Sequence, residues 1–163
     1  MQNISSRNKG IIVSIVMIAL SMISYFTLPD NRQFLSRYVI MAVFIAGLFW
    51  TIFDYKKTNE VVDIKNYFNE GFKNFIVVSF FMALYTFIFY KIFPLPFEYE
   101  SFINNNKKQL LEQGNRTAAE IEENANQWKN YFVPLILSIY NFTFLIMGAL
   151  VSGILAYIYG KKK

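Results

Sequence analysis

Hydrophobic and polar positions along this chain fall into long blocks instead of short alternations. Gly10–Leu28 is an uncharged run of nineteen residues, Tyr38–Phe53 of sixteen, Asn74–Tyr90 of seventeen and Tyr131–Gly160 of thirty. A helix that crosses the hydrocarbon of a bilayer needs about 20 residues at 1.5 Å each. The second run reaches that length when Ser36–Arg37 and Asp54–Tyr55 sit at the two interfaces. Runs this long without a charge leave a helix no hydrated face, which argues against a soluble bundle with a greasy core. The pattern predicts an all-α polytopic membrane protein of one domain, residues 1–163. Its four transmembrane helices are expected over about 10–28, 36–55, 74–93 and 134–159.

The two polar connections carry a pattern of their own. Ile64, Tyr67, Phe68, Gly71, Phe72 and Phe75 recur at helical spacing, with Lys65, Asn66, Asn69, Glu70 and Lys73 between them. This reads as an amphipathic helix in the headgroup plane or as the start of a tilted third span. The second connection, 94–131, opens with Pro94 and Pro96, which stop the third helix. The stretch from Glu98 to Asn115 is polar and contains Asn104-Asn105-Asn106. Thr117-Ala-Ala-Glu120 then reads as a capping box. A loop helix follows, with Ala118, Ile121, Ala125, Trp128 and Phe132 stepping by three and four. Pro134 either begins the fourth span or lies inside one continuous helix. Ile121, Ala125 and Trp128 form a candidate docking surface, or the inner face of a spacer folded onto its own bundle.

Composition sharpens this picture. Apolar residues make up 55% of the chain and aromatics 19%, more than a small soluble core can absorb. Cysteine and histidine are absent. That excludes thiol catalysis, disulfides, Cys/His zinc sites and Ser-His dyads. No nucleotide-binding glycine motif or zincin motif is present, so no catalytic, cofactor-binding or metal-binding residue is assigned and no cofactor is expected.

The net charge of +5 is distributed by side. Arg7, Lys9, Lys56, Lys57, Lys65, Lys73 and Lys161–Lys163 share one side of a four-span topology. Arg32, Arg37, Lys91, Lys107, Lys108, Arg116 and Lys129 share the other, most of them beside the long connection. The positive-inside rule then puts both termini in the cytoplasm and the loop helix outside it. The excess of base fits anionic headgroups better than nucleic acid, which is not expected as a partner.

Polar residues at mid-span are the default functional candidates in a membrane protein. Here they are few. Asn141 lies within the fourth span and needs a partner, either a neighbouring helix or a ligand. Gly148, Ser152 and Ala156, with Gly153 beside them, form a stripe of small residues. Ala42 and Ala46 repeat the spacing in the second span. Such stripes let helix backbones approach closely.

Three stretches resemble a known family: Ile64-Lys-Asn-Tyr-Phe-Asn-Glu-Gly71-Phe72, then Pro96-Phe-Glu98-Tyr-Glu-Ser-Phe102, and Gly148 with Ser152-Gly153-Ile154 ahead of a basic tail. The chain resembles the bacterial membrane proteins catalogued as domain of unknown function 4199. The second stretch departs from that family's Asp-Pro-Glu-Phe element in lacking the Asp. The resemblance implies the four-span topology and supplies no mechanism.

The expected role is a non-catalytic accessory or scaffold component of a membrane assembly. The alternative is a small transporter or a lipid- or ion-binding membrane protein. The expected partners are the lipid bilayer and a membrane protein or second copy. The expected location is the bacterial inner membrane.

Overall fold

The structure is a computed structural model that describes residues 4–29, 33–59, 63–93 and 97–160. Arg32, Pro94, Pro96 and the Lys161–Lys163 tail, all used above, lie outside the described residues. The described residues form five α-helices: α1 (Ser6–Thr27), α2 (Gln33–Thr58), α3 (Ile64–Ile92), α4 (Phe97–Glu112) and α5 (Ala118–Tyr159). Four segments are long and apolar enough to cross a membrane: Ser6–Thr27, Leu35–Thr58, Ile64–Ile92 and Asn130–Tyr159. In hydrocarbon every backbone amide needs a partner within its own segment, and a helix supplies one. Four such helices mark the chain as a membrane protein.

The chain forms two compact units, Met1–Tyr85 with Tyr140–Lys163, and Thr86–Ile139. In the first, α1, α2, the first part of α3 and the last part of α5 pack around Val13, Met17, Phe44, Leu48, Phe75, Val78, Met82 and Phe144. A smaller cluster, Ile52, Tyr67, Leu155 and Ala156, extends the core toward the helix ends. Large apolar residues such as Ile15, Ile23, Phe80, Phe142 and Ile154 stay exposed, as lipid-facing positions would. Close approach at glycines complements the bulky side chains of this core. A Cβ added at Gly148 would stand 2.5 Å from the Phe75 ring, and one at Gly71 would collide with the Ser152 side chain.

In the second unit α4 lies beside the first part of α5. Phe102 meets Trp128 edge-on at 5.6 Å between ring centroids, and Tyr99 meets Phe132 at 5.1 Å. Lys107 pairs with Glu122 at 2.7 Å. The capping box forms as the sequence predicts. The Glu120 amide donates to Thr117 Oγ1, and the Thr117 amide donates to the Glu120 carboxylate at 2.7 Å.

The structure decides between alternatives that the sequence leaves open and corrects the reading of the long connection. No separate interfacial helix precedes the third span, because α3 runs unbroken from Ile64 to Ile92. The predicted face splits: Tyr67, Gly71 and Phe75 are buried and Ile64 half-buried, whereas Phe68 and Phe72 are exposed. Its inner part serves the bundle. The stretch from Glu98 to Asn115 contains α4, whose Tyr99, Phe102, Ile103, Asn106 and Leu110 share a helical face despite their polar neighbours. α5 runs through Pro134 without interruption. Proline costs the carbonyl of Asn130 its intrahelical donor. Four residues on, the Ser138 hydroxyl donates to the Pro134 carbonyl at 2.9 Å.

Candidate functional site

Three helix ends of the first unit bring the charged residues together. α1 begins here, and the Ser5 hydroxyl caps it by accepting the Asn8 amide at 3.3 Å. Residues Ser6, Lys9, Gly10, Val13, Ser14 and Met17 form its buried face. Lys9 thus sits one turn ahead of Val13 and two ahead of Met17, on the stripe that faces the bundle. Only 3% of Lys9 is exposed. Its ammonium donates to the Asp54 carboxylate near the end of α2. It also lies 5.5 Å from the centre of the Trp50 ring.

Glu70 enters from α3 by the same register logic, one turn after Tyr67 and one before Asn74. It accepts from the Ser6 hydroxyl and, at 2.6 Å, from Lys73. Below these pairs, the Asn74 Nδ2 donates to Thr51 Oγ1 at 2.8 Å, and Thr51 donates to the Gly47 carbonyl at 2.9 Å. Asn74 and Thr51 are fully buried. Asn74 Oδ1, Ser79 Oγ and Ser152 Oγ are buried without a hydrogen-bond partner among the described residues. Gly10 lets α1 and α3 meet over this layer, since a Cβ there would stand 2.9 Å from the Asn74 carbonyl oxygen.

These pairs line a cleft of about 510 Å³ walled by Ser6, Arg7, Lys9, Thr51, Asp54, Tyr55, Glu70 and Lys73. Both carboxylates and two of the three cations are engaged with one another. Among the described residues, no group of three His, Cys, Asp or Glu side chains could hold a metal ion. The arrangement can tie three helices together and can present hydrogen-bond donors to a small polar group.

The residues singled out from sequence scatter differently. Gly148, Ser152 and Ala156 are buried in the bundle. Gly153 has no atom within 4 Å of a Cβ built on it, so it is no close-approach point. Asn141 is half-buried; the fully buried span amide is Asn74. Ala42 and Ala46 are exposed, and the small residue of α2 that meets a neighbour is Gly47, against Val13. Spacing identified a face of small residues and could not say whether another helix of the chain covers it. Ile121 and Ala125 are buried and Trp128 is half-buried beneath α4, so they are not an open docking surface.

From sequence, Lys9 counts only toward the basic side, Asp54 only as a span end and Glu70 only as part of a polar helix face. The signal that identifies them is register. Lys9 and Asp54 continue the buried stripe of their helices by one turn, and Glu70 falls within that of α3 between Tyr67 and Asn74.

Among known proteins, no curated protein and no solved structure matches the chain. A family model does match, over residues 8–161, and it takes in every helix described above except the first two residues of α1. With nearly its whole length covered, this chain belongs to the family described as Protein of unknown function (DUF4199).

Proposed function

We propose that the chain is a non-catalytic integral membrane protein that packs against a protein partner in a membrane assembly. The observation that carries this reading is the outward face of α2. Ala42, Ala46, Phe49, Trp50 and Phe53 fall on one helical face, and all are exposed. A face that meets only acyl chains needs no small residues. A pair of alanines one turn apart lets a second helix backbone come close, with the aromatics packing beside it. The Lys9–Asp54 pair, which joins α1 to α2, and the Ser6–Glu70 hydrogen bond, which joins α1 to α3, are in keeping with this role.

Isolation of the chain from native membranes in mild detergent tests the reading. A stoichiometric partner is expected with the parent chain and is expected to be lost in Ala46→Phe, whose side chain points away from the bundle core. A chain isolated alone, or a partner indifferent to Ala46→Phe, overturns it. A second reading, a small lipid- or ion-binding protein, draws its support from the cleft between α1, α2 and α3.

The proposed setting is a bacterial inner membrane with both termini in the cytoplasm. The support is the distribution of Lys and Arg, nine on the side of the termini and seven on the other, the latter mostly beside one long connection. The chain has no cysteine, so single introduced thiols report cleanly. In intact cells a membrane-impermeant maleimide is expected to label Asn115→Cys and to spare Asn69→Cys. The reverse pattern overturns the orientation.

A further inference from the structure

The cleft at the start of α1 holds more hydrogen-bond donors than its own acceptors can use. Arg7, Lys9 and Lys73 line it against Asp54 and Glu70. Glu70 is satisfied on both oxygens, by Ser6 and by Lys73. Asp54 accepts from Lys9 on one oxygen. Each lysine ammonium has three N–H donors and spends one on a carboxylate. Arg7 is exposed and has no ion pair among the described residues. The first turn of α1 adds to the excess. Ser5 takes the amides of Asn8 and Lys9, through its hydroxyl and its carbonyl. The amides of Ser6 and Arg7 have no intrahelical acceptor, and both residues line the cleft.

The floor is built, not a chance patch of surface lysines. Lys9 is 3% exposed and Thr51 fully buried, and both line the cavity. Asp54 holds the Lys9 ammonium in place, so the cation is oriented before any ligand arrives. The volume, about 510 Å³, suits a small headgroup. The site lies at the ends of helices long enough to cross a membrane, at the level where lipid phosphates sit.

We propose that this cleft binds a phosphoryl group, carried by an anionic lipid headgroup or by free phosphate, through Arg7, Lys9, Lys73 and the first-turn amides of α1. A phosphoryl group offers several charged oxygens to a donor-rich pocket of net positive charge, and a helix N-terminus favours the same sign. Docking through α2 and binding in this cleft are separable: Ala46→Phe is expected to leave the ligand in place.

The test is native mass spectrometry of the full chain in detergent with three probes: phosphatidylglycerol, diacylglycerol and inorganic phosphate. Retention of phosphatidylglycerol but not diacylglycerol is expected. Arg7→Gln combined with Lys73→Gln is expected to weaken it by about tenfold or more, the loss of two charge-assisted contacts. Lys107→Gln with Lys108→Gln removes the same charge from the second unit and is expected to change nothing. Displacement of the lipid by inorganic phosphate, or binding of phosphate alone, assigns a site open to either source. Retention that phosphate does not disturb assigns the lipid. Equal retention of diacylglycerol, equal binding by the Arg7/Lys73 variant, an equal effect of the Lys107/Lys108 variant, or no binding of any probe overturns the proposal. Should the double variant fail to fold, Arg7→Gln alone decides, since Arg7 is exposed.

Discussion

The two compact units differ in what lets their helices meet. In the first, helices come close because side chains are missing: Gly71 admits Ser152, Gly148 admits Phe75, and Gly47 admits Val13. Its polar groups are buried and joined helix to helix. In the second, α4 and α5 meet through large rings, with one exposed ion pair at the edge. The difference goes with the membrane spans, of which α4 is not one. Between spans in lipid there is little hydrophobic drive, so close backbone packing and hydrogen bonds must supply the attraction. A helix pair that meets water can rely on burying aromatic area.

If rings hold the second unit, removing its central ring should be the most damaging change there. Phe132 is 2% exposed and touches Tyr90, Tyr99 and Phe102. Phe132→Ala is expected to destabilise that unit by about 3–5 kcal/mol. Hydrogen exchange of α4 amides should rise sharply, with those of Val13–Met17 little changed. Equal acceleration in both places would dissolve the distinction between the units.

The buried ion pair gives the next largest effect. Lys9→Met leaves Asp54 facing a buried apolar side chain, at an expected cost of about 3 kcal/mol. That is the low end for such pairs, because the Asp54 side chain keeps 33% of its surface exposed. Lys9→Met with Asp54→Leu is expected to recover most of the loss, since paired removal strands no charge. Thermal unfolding in detergent reads both. A double variant as unstable as the single would show that shape, not charge, makes Lys9 necessary.

Close approach itself is tested by two glycines five residues apart. Gly148→Leu forces a branched side chain into the Phe75 ring and is expected to cost about 1–3 kcal/mol. At Gly153 there is open space, and Gly153→Leu is expected to shift Tm little. From sequence the two belong to one stripe, so equal shifts would mean that small residues matter here for reasons other than contact.

How much of this was legible in the sequence depends on which physical term dominates each region. The four apolar blocks identified the spans, because nothing else can sit in hydrocarbon. The capping box at Thr117 and Glu120 was readable because it is a local interaction. α4 was missed because Asn104-Asn105-Asn106 hides the face made by Tyr99, Phe102, Ile103 and Leu110. The unbroken course of α3 was left open because Lys65 and Lys73 look interfacial until Tyr67, Gly71 and Phe75 are seen packed inward. The cleft is the largest omission. Charge distribution and helical spacing give Lys9, Asp54 and Glu70 only as a basic-side residue, a span end and part of a polar face. Their pairing is a tertiary fact, visible in sequence only as register.

The smallest effect lies at the start of α5. Hydrogen bonds from the Thr117 amide and hydroxyl hold the Glu120 carboxyl below the usual carboxylate range, with a smaller contribution from Arg116. A carboxyl depressed in the folded state stabilises it only while ionised. Its contribution is therefore present above the unfolded value and fades as pH falls through the folded one. Exchange of the amides in the first turn of α5 should accelerate on acidification below the ordinary carboxylate range, while those around the buried Phe144 in the same helix do not. Glu120→Gln keeps an acceptor for the Thr117 amide and removes the titrating group, so it should abolish the pH dependence while retaining most of the protection. If acid loosens the glutamine variant equally, the box is not the titrating element.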